Sequence, residues 1–213
     1  MLLRPRGREA FVQSLPIGAA VLDVGCGSNS PYLLKSQRPD LHYVGIDVFD
    51  YDQDRDPNSV ADEYIVCEPA QFGATIAGLG QRFDAVISSH NIEHCDDPEG
   101  VLAAMAGVIK PGGRLYMAWP AEHTVTLPSR AGCLNFYDDP GHRQMPQFAS
   151  VLGALYRGGL VVSFQARAYH PVVPYLVGAV VEPFAAALNR QGPLRSTWAF
   201  YGFESVVWLS KTA

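Results

Sequence analysis

Val21-Leu22-Asp23-Val24-Gly25-Cys26-Gly27 is the segment that most narrows the folds open to this chain. A short apolar run, closed by two glycines and followed by the helix-like Pro31 to Gln37, reads as a buried strand, a tight turn and a helix. Glycine at such a turn tolerates φ > 0 and lets the backbone approach a ligand at the carboxyl end of the strand, where open α/β sheets bind nucleotides. The next apolar strand, His42 to Val48, carries an acid at its end in Val44-Gly45-Ile46-Asp47. Asp47 lies 20 residues beyond Gly27, the place expected of a carboxylate that accepts both hydroxyls of a ribose.

The rest of the chain repeats the strand–helix alternation. Tyr64 to Cys67 reads as a third strand and Phe83 to Ser89, after the Gly78-Leu79-Gly80 break, as a fourth. Asp96-Asp97-Pro98 marks a helix start, and Val101, Leu102, Met105, Val108 and Ile109 follow at helical spacing. Pro111-Gly112-Gly113 is expected to stop that helix before a fifth strand, Arg114 to Trp119. Beyond it come a helix (Phe148 to Tyr156), a strand (Gly159 to Ala168), a mostly helical stretch (Val172 to Asn189) and a final strand (Thr197 to Leu209). Near-continuous apolar strands between helices predict an α/β fold with a mostly parallel sheet covered on both faces. No linker divides residues 1–213, so one domain is expected. Residues 120–146 are too long and irregular for an ordinary connector and are expected to cover an active site.

Composition limits the partners. Of 213 residues 48% are hydrophobic and 17% charged, against roughly 25% charged in a typical domain, which excludes a disordered chain. Sixteen Lys and Arg against 21 Asp and Glu give a net charge of −5, so no basic surplus exists to neutralise nucleic acid. Cys26, Cys67, Cys95 and Cys133 form no C-x-x-C pair; neither a disulfide framework nor a zinc site is expected, and reduced thiols suit a cytoplasmic protein. Arg4, Arg6 and Arg8 are not followed by the apolar core of a signal peptide. Val172 to Leu188 is apolar but interrupted by Pro174, Glu182 and Pro183; it reads as a helix for core packing or a homodimer surface, not as a membrane span.

Two cofactor classes fit the glycine turn. A dinucleotide fingerprint would carry a third glycine where Ser30 stands, and Asp23 beside the loop would repel a pyrophosphate. An acid there instead suits a cationic ligand such as S-adenosylmethionine. At this point the sequence resembles the class I S-adenosylmethionine-dependent methyltransferases of the small-molecule, type 11 kind, over about residues 19–168. Asp23-Val24-Gly25-Cys26-Gly27 resembles the first motif, which wraps the methionine part. Asp47, followed by Val48, resembles the ribose-binding acid, and Glu68 falls where an aspartate usually faces the adenine amino group. Phe83 to His94 resembles the fourth motif, which implies that Ser89 and His90 line the cofactor pocket. Ile109 to Leu115 and His142 to Phe148 resemble later motifs. Asn29 replaces a further glycine, Glu68 is one methylene longer than the usual acid, and residues 169–195 have no counterpart. The resemblance implies a Rossmann-like, doubly wound sheet of about seven strands, the last antiparallel, with helices on both faces.

It also implies methyl transfer to a small-molecule acceptor, with a hydroxyl of a sugar or natural product as the expected target. The alternative is a non-catalytic protein of the same fold that binds S-adenosylmethionine or S-adenosylhomocysteine as a partner or regulator. A hydroxyl acceptor benefits from a general base, and His142 and His123, in or beside the irregular stretch, are the candidates. His42 and His94 read as structural. Asp138, Asp139 and His142 are close in sequence but match no ligand spacing, and Asp138-Asp139-Pro140-Gly141 reads as a turn; no metal site is expected. Leu127, Leu134, Phe136 and Tyr137 suit either an apolar, ring-bearing acceptor or packing of the cover itself.

Overall fold

The computed structural model describes residues 4–212; Met1–Leu3 and Ala213, the ends of the expected 1–213 domain, lie outside the described residues. Seven strands, β1 (Ala20–Val24), β2 (His42–Asp47), β3 (Glu63–Val66), β4 (Phe83–Ser89), β5 (Ile109–Pro120), β6 (Leu160–Ala166) and β7 (Glu204–Lys211), form one sheet in the order β3-β2-β1-β4-β5-β7-β6. All pairings are parallel except those of β7, which runs antiparallel to both neighbours. The chain winds outward from β1 to β3 and then returns to β4, so the connections leaving the carboxyl ends of the paired β1 and β4 run in opposite directions, at a switch point.

Among the described residues there are seven α-helices, α1 (Arg8–Gln13), α2 (Ser30–Gln37), α3 (Phe72–Gly78), α4 (Pro98–Val108), α5 (Phe148–Arg157), α6 (Val172–Ala187) and α7 (Ser196–Tyr201); α1 to α5 pack on the sheet and α6 packs on α7. Alternation along the strands sorts the core into two layers. Leu22, Val24, Val86 and Met117 pack with Ile76 of α3, Met105 of α4 and Leu155 of α5. Val21, Ile87, Tyr116 and Trp208 pack on the other face with Phe11 of α1 and Leu34 of α2. Each fully buried side chain of this kind contributes about 1.5–3 kcal/mol. The start of α4 is as the sequence predicts: the Asp97 carboxylate accepts from the Gly100 N–H at 2.9 Å, and Pro98 takes the first helical position.

The β1–α2 turn needs glycine for two reasons. Gly25 has φ +71°, and a Cβ built on it would lie 2.5 Å from the Asn91 side chain in the loop after β4. The turn is further fixed by the Gly25 N–H, which donates to the Ile46 carbonyl of β2 at 2.9 Å.

Two boundaries differ from the sequence pattern, and two helices are additional to it. Pro111-Gly112-Gly113 does not separate helix from strand; it bulges within β5, between the Phe83–Ile109 and Ala85–Arg114 pairs. Residues 196–201 are helical rather than strand, despite their aromatic content, because Gly202 at φ +63° ends α7 before β7 begins at Glu204. Short α1 and α3 have no clear sequence signal. Residues 120–146 are irregular apart from short 3-10 turns at Glu122–Thr126 and Phe136–Asp138.

That segment is tied to the C-terminal helices. Arg130 and Glu182, 6% and 4% exposed, form a buried ion pair, and the second Glu182 oxygen accepts from Thr197 Oγ1 at 2.9 Å. Outside this pair, α6 leaves Leu176, Val180 and Phe184 exposed. Among the described residues no helix is long and apolar enough to cross a membrane.

Two stability predictions follow from this packing. Glu182→Leu strands a buried guanidinium and is expected to cost about 3–5 kcal/mol, whereas Arg130→Met with Glu182→Leu recovers most of it; denaturant unfolding of the cycle measures both. Gly25→Ala combines overpacking with an unfavourable φ and is expected to cost about 1–3 kcal/mol. Adding Asn91→Ala should return only the packing part, again read by denaturant unfolding.

Candidate functional site

A cavity of about 1680 Å³ opens at the carboxyl ends of β1, β2 and β4. Asp23, Gly25, Gly27, Asp47, Val48, Ser89 and His90, all predicted from sequence, line it. Arg8 and Asn91 complete its inner wall, and Val172, Leu194 and Trp198 stand toward the C-terminal helices.

Asp47 is positioned by the turn it faces. Its Oδ2 accepts from the Gly27 N–H at 2.8 Å and its Oδ1 from the Val48 N–H at 2.7 Å. Burial raises its pKa, against the opposing pull of those backbone donors. Asn91 presses its amide against Gly25, and its Nδ2 is buried without a partner.

Asp23 departs from its expected role. Sequence reasoning gives it a cationic ligand, but its Oδ2 already accepts from Arg8 at 2.6 Å, Ser30 Oγ at 2.6 Å and the Tyr43 hydroxyl at 2.8 Å. With the side chain buried, this carboxylate is a junction of α1, α2 and β2. None of the three had a sequence signal as a partner; Arg8 comes from a six-residue helix.

His90 lines the cavity at φ +51°, with its backbone N–H donating to the Ala118 carbonyl at 2.9 Å. Its ring lies between two carboxylates, Nε2 at 2.7 Å from Glu204 and Nδ1 at 3.2 Å from Glu93. Burial alone would lower its pKa; the two acids outweigh burial and raise it to about 10. Glu204 is held below the usual carboxylate range by His90, against the effect of burial. The imidazolium also contacts the rings of Trp198 and Phe203, with centroids at 5.1 and 6.0 Å. Glu204 and Trp198 were not expected at the site, since β7 joins it only through the antiparallel end of the sheet.

Three predicted residues lie elsewhere. Glu68 is exposed beyond the end of β3 and lines no part of the cavity, although Pro69 and Ala70 do. His123 points toward α7, where its Nε2 meets the Tyr201 carbonyl at 2.9 Å. His142 stacks on Phe136 at 4.4 Å behind the wall that His94 and Gly141 present to the cavity. Neither histidine faces the cavity as a free base. The expected cover also contributes little: Asp139, Gly141 and Arg143 line the cavity, while Leu134 and Phe136 are buried in its own packing and Tyr137 is 74% exposed. Burial raises the pKa of all four thiols, Cys95 to about 12 and Cys133 to about 11, so none is poised as a thiolate nucleophile.

Comparison with known proteins places this geometry. Residues 22–117 match the family model described as a methyltransferase domain. A ubiquinone biosynthesis O-methyltransferase of Xanthomonas axonopodis pv. citri (strain 306) is 34% identical over 121 residues, 48% of this chain and 44% of that protein. The 27-O-demethylrifamycin SV methyltransferase of Amycolatopsis mediterranei (strain S699) is 28% identical over 129 residues, 59% of this chain and 46% of that protein. The chain thus spans less than half the length of these curated relatives. A crystal structure of an S-adenosylmethionine-dependent methyltransferase from Mesorhizobium loti superposes with a TM-score of 0.62 at 15% identity, covering 95% of this chain and 96% of that one; it supports the fold alone. With the glycine turn, Asp47 and the loop after β4 on one cavity, residues 22–117 thus form a domain similar to the S-adenosylmethionine-dependent methyltransferases.

Proposed function

We propose that this chain transfers a methyl group from S-adenosylmethionine to a hydroxyl of a small molecule. The observation that carries the reading is Asp47, a buried carboxylate fixed against the Gly27 turn and facing the same cavity as the β4 loop. The residues present fit the cofactor. Asp47 suits the ribose hydroxyls, Val48 an apolar ring, and the unpartnered Asn91 Nδ2 a carboxylate at the amino-acid end. When bound, the cofactor supplies an electrophilic methyl on a sulfonium with a good leaving group.

The chain's contribution is then placement. Holding an acceptor oxygen on the axis of the methyl–sulfur bond lowers a barrier by up to about 7–11 kcal/mol in favourable cases. Val172, Leu194 and Trp198 give the mouth an apolar and aromatic wall, which suits a ring-bearing natural product better than a bare sugar. The two relatives named above act, by their names, in ubiquinone biosynthesis and on a rifamycin, and both names support an oxygen acceptor. A non-catalytic binder of the same cofactor is the second reading, favoured by the placement of His123 and His142 away from the cavity. Release of S-adenosylhomocysteine when phenolic or macrocyclic alcohols are supplied separates the two.

Calorimetric titration tests the cofactor site. Asp47→Ala is expected to weaken S-adenosylmethionine binding about 100-fold, the effect of losing ~3 kcal/mol of hydrogen bonding to a carboxylate. Glu68→Gln, outside the cavity, should leave the affinity essentially unchanged. Equal binding by wild type and Asp47→Ala, or binding of NAD(H) alone, would overturn the assignment.

A further inference from the structure

Glu93, His94 and His142 each bring one ligand atom to within 4.8 Å of the others. The first two end the β4 loop; His142 arrives on the segment docked beside it, where the Arg143 N–H donates to the Glu93 carbonyl at 2.9 Å. Both rings have the same tautomer imposed on them. His94 Nδ1 lies 3.0 Å from the Gly141 carbonyl and His142 Nδ1 2.6 Å from the Phe136 carbonyl. A carbonyl only accepts, so each Nδ1 carries the proton and each Nε2 keeps a free lone pair. Metal-ligating histidines are oriented in this way by their surroundings.

Hydrogen bonding within the cluster does not account for it. His142 Nε2 lies 4.0 Å from Glu93 Oε1 and 3.9 Å from Asp139 Oδ2, both too far for a hydrogen bond. Glu93 is fully buried, and while its Oε1 faces His90, its Oε2 has no partner. A fully buried carboxylate with one oxygen unpartnered thus lies 4.0 Å from the His142 Nε2 lone pair, and His94 brings a third ligand atom within 4.8 Å of both.

From this geometry we infer that Glu93, His94 and His142, with Asp139 as a fourth donor, bind a divalent transition-metal ion. Two nitrogen and one or two oxygen ligands select a borderline ion of the zinc, cobalt or nickel kind over calcium or magnesium. Bonds of about 2.0–2.2 Å need ligand atoms roughly 3.3 Å apart, so the groups close by about an ångström on binding. Asp139, whose side chain is 41% exposed, has room to swing in. Gly141 keeps the corner tight, since a Cβ there would meet Asp139 Oδ1 at 3.0 Å and His94 Nδ1 at 3.2 Å.

His94, Asp139 and Gly141 line the cavity, so the ion would face the space in which the proposed reaction takes place. Its role in transfer rests on the reading under Proposed function. An acceptor hydroxyl coordinated there gives its proton to solvent more readily; its oxygen then bonds to the methyl carbon as the carbon–sulfur bond breaks and its electron pair stays on sulfur. This would supply the activation that neither His142 nor His123 is placed to give as a base.

The test is cobalt titration of the chelator-treated protein, followed by visible absorption, with no cofactor or acceptor present. Wild type should bind one Co²⁺ per chain with d–d bands and no thiolate charge-transfer band. His94→Ala and His142→Ala should each raise the dissociation constant about tenfold or more. His142→Gln, which keeps more of the packing on Phe136, guards against loss of fold, read by circular dichroism. No saturable binding by the wild type, a thiolate band, or equal affinity in the folded variants overturns the site. Titrating the same metal-free protein with S-adenosylmethionine keeps the two proposals apart: cofactor binding without cobalt binding removes only the metal, and the reverse removes only the cofactor reading.

Discussion

A carboxylate placed at the end of a central strand has to be neutralised where it stands, and most of the site's inner wall is arranged around that requirement. Leaving Asp23 buried and unpaired would cost several kcal/mol. Its Oδ2 instead draws in Arg8 from α1, Ser30 from the first turn of α2 and Tyr43 from β2. These contacts seat α1 on the sheet, fix where α2 begins and hold β2 in register with β1. Asp47 then meets the Gly27 N–H from the neighbouring strand, so the turn is clamped from both sides. Asn91 closes against Gly25 from β4. The shape of the cavity's inner end is thus set by polar contacts among three parallel strands.

What was legible in the sequence follows from this. Gly25, Gly27 and Asp47 stood out because backbone geometry dictates their spacing, and local spacing is what a sequence displays. The strands of the parallel half, with α2 and α4, were legible for the same reason. The partners of the charged groups were not: Glu204 is 114 residues from His90, and only the antiparallel return of β7 brings them together. His123 and His142 were candidates because they sit in an irregular segment, yet a loop has no periodicity to say which way a side chain faces. Both turned toward backbone carbonyls. Residues 196–201 were misread because β-branched and aromatic content favours a strand in isolation, whereas here the contacts of α7 with α6 decide the conformation. Gly178 of α6 admits that packing, since a Cβ there would run into the Ser196 carbonyl and Phe200.

The family match ends at residue 117. Beyond it, the tie between 120–146 and the C-terminal helices is the buried Arg130–Glu182 pair and its Thr197 extension. Just before Thr197, Leu194 and Arg195 both adopt left-handed backbone conformations, at φ +55° and +53°. Each such residue costs of order 1–3 kcal/mol, and strain of this kind persists only where neighbouring structure enforces it. The Gly192 N–H bond to Thr197 Oγ1 at 2.8 Å brackets the strained pair. Leu194 and Arg195 both line the cavity, so a segment outside the family match also shapes its wall.

The electrostatics of the opposite wall bear on the choice of cofactor. Asp23 discriminated between a pyrophosphate and a sulfonium only as long as it stood free, and its pairing with Arg8 removes most of that effect. The His90 group does not restore it. A protonated imidazole between Glu93 and Glu204 carries one positive charge against two negative ones, within a partly desolvated wall of the same cavity. Charge interactions there are less screened than in water. Arg195, which acts on Glu204 from the same cavity, offsets one of those negative charges, so the wall is close to neutral and offers a doubly charged pyrophosphate no excess of cations. The Arg8–Asp23 pair at the inner end is likewise balanced. On the proposed reading, the sulfonium would meet the end of β4 and β7, and the ribose the end of β2.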